Sequence, residues 1–238
     1  RIDIRVKLTK YLKCIKDEEN IKMEEETLVK IKICGLRRLE DIEAVNEFCP
    51  DYAGFIVDVP RSFRSVTPEK LKELTEGLRK EIIPVGVFVD APEDLPARLL
   101  NEGIIGMAQL HGNEDEEYIK RLRNLTDGRP LIKAFSIKKE EDIARALKSS
   151  ADYILLDQGK GGTGKAFDWS LIREMSRPFF LAGGIGPENL DKAISQIQPY
   201  AVDLSSSVET EKWKDPEKIR QVVDIARKNN KTNRQRRK

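Results

Sequence analysis

Histidine is nearly missing from this chain of 238 residues: there is one, His111. A Ser-His-Asp triad or a multi-histidine metal centre would have to be built around that single imidazole, which argues against both. Cysteine is also scarce. Cys14, Cys34 and Cys49 show no C-x-x-C spacing, and an odd count speaks against a disulfide framework and a structural zinc site. No apolar run approaches the ~20 residues that a bilayer crossing needs. The first residues are charged rather than an apolar leader, so a cytoplasmic location is the expectation. Net charge is only +2, which leaves no overall field to attract nucleic acid. No G-x-G-x-x-G is present after the first strand, where Cys34-Gly35-Leu36-Arg37-Arg38 stands instead. Thr163-Gly164-Lys165 lacks the ending of a Walker loop.

What is present is an alternation. From about residue 28, strand-like apolar runs occur at Leu28–Cys34, Tyr52–Val57, Ile82–Val89, Gly106–Leu110, Pro130–Phe135, Tyr153–Leu156, Pro178–Leu181 and Tyr200–Leu204. Stretches with helical spacing separate them. Leu39–Phe48 places Leu39, Ile42, Ala44 and Val45 on one face. Thr67 reads as an N-cap with Pro68 at the first helical position. Pro92–Leu100 is interrupted by Pro96. Asn113 opens Glu114–Leu125, and Lys139–Leu147, Ser170–Met175, Pro187–Ile197 and Pro216–Ala226 complete the set. Eight strands alternating with eight helices predict a single (βα)8 barrel over residues 28–228. An open doubly wound sheet fits less well, because it wants fewer strands and a dinucleotide fingerprint. The flanks stand apart: a charged N-terminal extension (1–27, with Met23 as a candidate natural start) and a basic tail (229–238) expected to be disordered.

In such a barrel, chemistry belongs at the C-terminal ends of the strands. Asp157 ends the sixth strand beside a glycine-rich loop, Gly159–Gly164, that can close over a substrate. Cys34 ends the first strand and points inward by strand alternation. A thiolate there can act as a base or nucleophile, although spacing alone favours a small buried residue. Gly183-Gly184 and Ser205-Ser206, after the seventh and eighth strands, leave backbone N–H groups open to an anion. Arg64, with Arg61 as a competing choice, places a guanidinium after the second strand that can grip a carboxylate. Lys32 and Asp203 fall one layer below on neighbouring strands and are expected to form a buried, structural ion pair.

These residues resemble the phosphoribosylanthranilate isomerases of tryptophan biosynthesis. The likeness spans roughly Val29 to Lys228. It rests on Lys32-Ile33-Cys34-Gly35, Pro60-x-Ser62-x-Arg64, Gln109-Leu110-His111-Gly112, Leu155-Leu156-Asp157, Ala182-Gly183-Gly184, Pro187-Glu188-Asn189 and Val202-Asp203-Leu204-Ser205-Ser206-x-Val208-Glu209, in that order. The resemblance implies an Amadori rearrangement of N-(5-phosphoribosyl)anthranilate to 1-(2-carboxyphenylamino)-1-deoxyribulose 5-phosphate without cofactor or metal. It implies Asp157 as general acid, Cys34 as general base, and Arg64 on the anthranilate carboxylate. Gly183, Gly184, Ser205 and Ser206 would bind the phosphate. Three departures stand out: a segment between Gly54 and Pro60 that is one residue longer, a short loop between Asp157 and Gly161, and Ser207 in place of the usual glycine.

The related sugar isomerase of histidine biosynthesis would want an acid where Cys34 stands. Indole-glycerol-phosphate synthase would want lysine and glutamate at the strand ends. A non-enzymatic alternative is a barrel scaffold that binds RNA or a protein partner through its basic tail. The expected partner is a small phosphorylated substrate, with no nucleic acid and no membrane, in a monomer or homodimer.

Overall fold

The computed structural model describes residues 28–157, 169–172 and 175–236, with side chains up to residue 230. The N-terminal extension and the glycine-rich loop after Asp157 lie outside the described residues. Eight parallel strands form the central sheet: β1 (Lys30–Cys34), β2 (Tyr52–Val57), β3 (Ile83–Phe88), β4 (Met107–Leu110), β5 (Leu131–Ser136), β6 (Tyr153–Asp157), β7 (Phe179–Leu181) and β8 (Ala201–Leu204). Each pairs with its neighbours in chain order, and β1 pairs with both β2 (Lys32 opposite Tyr52) and β8 (Lys32 opposite Asp203). That last pairing closes the sheet into the expected barrel. A two-residue strand, Ser65–Val66, adds to the upper end of β2. A short hairpin, Glu209–Thr210 with Trp213–Lys214, follows β8.

The helices are α1 (Leu39–Phe48), α2 (Pro68–Glu76), α3 (Asp94–Asn101), α4 (Glu116–Leu125), α5 (Glu140–Leu147), α6 (Leu190–Ile197) and α7 (Pro216–Arg236). Thr67 caps α2 as its sequence predicts, accepting from Lys70 N at 3.2 Å. Pro96 does not break α3, because it sits in the first turn, where no N–H has an intrahelical partner to lose.

Other expectations need correction. In the α1 face, Leu39 is exposed and Asp41 is buried in its stead. The Asp41 carboxylate accepts from Arg37 N, Arg38 N and Arg38 Nε, so the inward position goes to the acid that satisfies the helix start. In α4 the cap is Asp115, accepting from Tyr118 N at 2.8 Å; Asn113 and Glu114 lie outside the helix. Between β6 and β7, the described residues of the predicted Ser170–Met175 helix contain only a 3-10 turn, Trp169–Leu171. The tail expected to be disordered from 229 instead extends α7 to Arg236. Asn230 explains the extension: its amide accepts from Val29 N at 3.0 Å and donates to Val29 O at 3.1 Å, tying the helix to the start of β1.

Strand alternation sorts the apolar side chains into two layers. Ile31, Ile33, Phe55 and Leu156 face outward against the helices. Tyr52, Val85, Met107, Ile132, Leu155 and Phe180 fill the lower interior. Tyr153 and Tyr200 pack on Phe180, and the Tyr52 and Tyr200 hydroxyls meet at 2.7 Å, which satisfies the polar ends of this aromatic plug. The plug seals the barrel floor, so any ligand enters from the upper rim.

Phe180 is fully buried at the centre of the plug. Phe180→Ala is expected to lower unfolding stability by about 3–5 kcal/mol, read from urea denaturation. A loss under half of that would mean that the floor is not close-packed.

Candidate active site

Above the plug, the interior turns polar. Lys32 Nζ donates to Asp203 Oδ1 at 2.9 Å, with Lys32 fully enclosed, so the ion pair expected from strand register is present. Burial alone would lower the lysine's pKa. Asp203 reverses that and, with Cys34, carries it above its ordinary value.

One layer higher, Cys34 ends β1 as a buried free thiol. Burial pushes its pKa up, against a downward pull from Lys32. Ser205 Oγ donates to Cys34 O at 3.1 Å and locks the ends of β1 and β8 together. Asp157 ends β6, and its carbonyl accepts from Ile137 N. Its carboxylate lies 3.8 Å from His111 Nε2. Gln109 contacts His111 Nδ1 at 2.8 Å. With the Gln109 amide donating there, the imidazole proton sits on Nε2 and faces Asp157. Loss of solvent at the cavity wall lowers the His111 pKa in spite of Asp157, although about a third of the side chain (37%) remains exposed.

The loop that carries His111 is held from beneath. Lys133 Nζ donates to Gly112 O and Glu114 Oε2, each at 2.8 Å, and Glu114 accepts from Gly112 N and Asp90 N. Removing Glu114 from α4 thus lets it serve as a buried strut.

After β7, Gly183 (φ 84°) and Gly184 (φ 67°) adopt left-handed backbone that side chains rarely accept. Asn189 shapes the turn, donating to Gly184 O at 2.8 Å and accepting from Gly186 N at 2.9 Å. Ser207 is outside the left-handed region, so serine is accommodated there without backbone strain. Its hydroxyl oxygen is buried and has no partner among the described residues.

A cavity of about 560 Å³ opens between these strand ends. Cys34, Asp157, Gly183, Gly184, Ser205 and Ser206 all line it. Arg64 does not. Its Nε and Nη2 donate to the two carboxylate oxygens of Glu209, each at 2.7 Å. Its stem crosses Gly35, where a Cβ would fall 2.6 Å from Arg64 Cδ; Gly35 also holds φ 87°, so only glycine fits under the arginine. The free guanidinium expected from sequence is therefore a paired one, and the arginine on the cavity wall is Arg61, beside Ser62. Lys214 completes the cluster, donating to Glu209 Oε1 at 2.7 Å and Ser205 O at 3.0 Å. Sequence reasoning assigned no role to His111, Gln109, Glu209 or Lys214. Gln109, His111 and Glu209 sit inside motifs that could have drawn attention; Lys214 carried no signal.

A family model described as N-(5'-phosphoribosyl)anthranilate (PRA) isomerase matches residues 31–225, the whole barrel. The chain belongs to this family. It is 43% identical over 203 residues to the N-(5'-phosphoribosyl)anthranilate isomerase of Endomicrobium trichonymphae, covering 83% of this chain and 98% of the relative. The phosphoribosyl anthranilate isomerase structure from Thermotoga maritima superposes with a TM-score of 0.75 at 34% identity, covering 84% of this chain and all of that one (100%). A second structure of the family, solved with reduced 1-(o-carboxyphenylamino)-1-deoxyribulose 5-phosphate, gives 0.73 at 33% identity, with 84% and 100% covered. The barrel is thus a shared feature of the family. The tie of α7 to Val29 through Asn230 falls beyond the matched residues.

Burial raises the Glu209 carboxyl, but Arg64 and Lys214 outweigh it and hold the group below its ordinary value. A depressed carboxylate stabilises the fold above its unfolded pKa and loses that contribution as pH falls through the folded one. Glu209→Gln is therefore expected to be less stable than the parent at neutral pH, with a gap that closes on acidification below about pH 4. Denaturant titrations from pH 7 to 3 test this; a gap that stays constant would detach the effect from the carboxylate's charge.

Proposed function

We propose that Asp157 and Cys34 carry out the rearrangement as an acid and a base across one cavity. The chain is an isomerase of tryptophan biosynthesis by its family, and N-(5'-phosphoribosyl)anthranilate is the substrate. The observation that carries the assignment is that the cavity has the carboxylic acid on one strand end, the thiol on another, and the glycine and serine turns at its rim.

Asp157 gives its proton to the ribose ring oxygen. The C1–O bond breaks as the nitrogen lone pair forms a C=N bond, opening the ring to a Schiff base. Cys34 then takes the proton from C2, and the C–H electrons form a C1=C2 double bond while the iminium nitrogen recovers its pair. The resulting enolamine takes a proton at C1 from the Cys34 thiol and gives its hydroxyl proton to the Asp157 carboxylate, which leaves the ketone and restores both groups. The acid and the base thus exchange protons with the substrate and end the cycle as they began it. His111 Nε2–H faces the Asp157 carboxylate and steadies the charge it acquires.

The phosphate is placed at Gly183-Gly184 and Ser205-Ser206, where left-handed glycines free backbone N–H groups. The anthranilate carboxylate goes to the opposite rim. Arg61 on the cavity wall offers the guanidinium for it, while Arg64, held by both Glu209 oxygens, stands outside the lining. That a solved relative holds a reduced phosphorylated product supports the arrangement.

The scaffold reading is not favoured, because the segment it relies on begins as helix fastened to β1 by Asn230. Among the described residues no helix is long and apolar enough to cross a membrane. A cytoplasmic location accords with a biosynthetic family.

Asp157→Asn and Cys34→Ser are each expected to lower turnover by at least about a hundredfold with folding unchanged. Loss of substrate fluorescence measures this, and parental rates in both variants would end the assignment. Inorganic phosphate is expected to compete with substrate, raising KM without changing kcat. Absence of competition at high phosphate would move the anion site elsewhere.

A further inference from the structure

Lys32 and Cys34 lie two residues apart on the inward face of β1, and the neighbouring strand makes room for both at one point. Gly54 stands opposite Cys34 in the β1–β2 register. A Cβ built on Gly54 would fall 2.9 Å from Cys34 Sγ and 3.0 Å from Lys32 Nζ. The ammonium and the sulfur therefore border the same notch, which exists only because that residue has no side chain. The ammonium cannot turn away to water, since Lys32 is fully enclosed and anchored to Asp203 Oδ1 at 2.9 Å.

We propose that Lys32 is a positioning residue for the base: its ammonium, tethered by Asp203, faces the charge that the Cys34 sulfur bears once its proton has left. This rests on Cys34 being the base. An ion pair that only filled the barrel would not need a glycine notch opening onto a thiol. The remaining charges acting on Cys34 are Asp203 from β8 and Lys214 from the hairpin after β8, while β2 offers only Gly54. Burial is the strongest influence on the thiol and raises its pKa. Lys32 is the leading influence in the opposite direction, and Asp203 works against it.

Because Asp203 keeps the buried lysine charged, the two partners cannot be varied independently, and the test compares a neutral with a charged replacement of Lys32. The intact enzyme is alkylated with iodoacetamide across a pH series, and modification of Cys34 is followed by peptide mass so that Cys14 and Cys49 do not contribute. The pH dependence of kcat is recorded alongside. Lys32→Met is expected to move the Cys34 titration midpoint up by about one unit or more, and Lys32→Arg, which keeps a cation at that position, to leave it near the parent's. A midpoint in Lys32→Met equal to the parent's, or the same upward shift in Lys32→Arg, would overturn the proposal. If Lys32→Met does not fold, Lys32→Gln takes its place with the same expected upward shift. Alkylation reads the thiol without turnover, so full activity in Cys34→Ser would end the catalytic reading while leaving the effect of the Lys32 charge measurable.

Discussion

The barrel closes where β1 meets β8, and at that seam Lys32 binds Asp203 inside a protein interior. Two isolated charges there would each cost several kcal/mol in lost hydration, so neither residue is tolerable without the other. Their pairing requires the parallel register that places Lys32 beside Asp203. A slip of β1 by one residue would turn Lys32 and Cys34 toward the helices, bring Ile31 and Ile33 inward and leave Asp203 unpaired. One interaction thus constrains closure of the sheet, the inward orientation of Cys34 one layer above, and the place where polar chemistry begins over the aromatic plug.

The rim is built by repeating that solution at smaller scale. Two of the loops that contribute to the cavity are fastened by charges with few routes to water. Glu114 and Lys133 hold the His111 loop; Glu209 and Lys214 hold Arg64 and the Ser205 turn. Asn189 does the same for the glycine turn with neutral hydrogen bonds. Arg37 adds an outer clasp, its guanidinium 3.7 Å from the Trp213 ring and 5.5 Å from that of Phe63. Loops fixed in this way can present backbone N–H groups and an acid to a substrate with little reorganisation, which is where electrostatic catalysis gains most.

The cost of this design is sequence intolerance at small residues. Gly35 lies beneath the Arg64 stem and Gly54 beside the thiol and the ammonium, and a methyl group at either position would collide with the side chain that defines the site. Of these two glycines, Gly35 belongs to a motif on which the family resemblance rests, whereas Gly54 is explained by the geometry alone.

Much of the fold was legible in the residues. Alternating apolar runs located all eight strands to within two residues, and the inward positions of Lys32 and Asp203 followed from a period of two, because burial on one face of a strand leaves no freedom of register. Cys34 and Asp157 were visible at strand ends, but spacing alone favoured a small buried residue for the thiol, and the resemblance is what singled the two out. What sequence could not decide was which charges meet across long separations. Arg64 and Glu209 are 145 residues apart, and Lys133 reaches a glutamate that local spacing assigned to a helix. Helix ends were misread for the same reason: Asp115 caps α4 because Glu114 is drawn inward, and α7 runs on because Asn230 finds Val29. Local pattern is set by backbone geometry and side-chain type, so the chain itself determined strands, core and which side chains end each strand. The partner of a buried charge is set by whatever the closed barrel brings within three ångströms, and only the tertiary structure settled that.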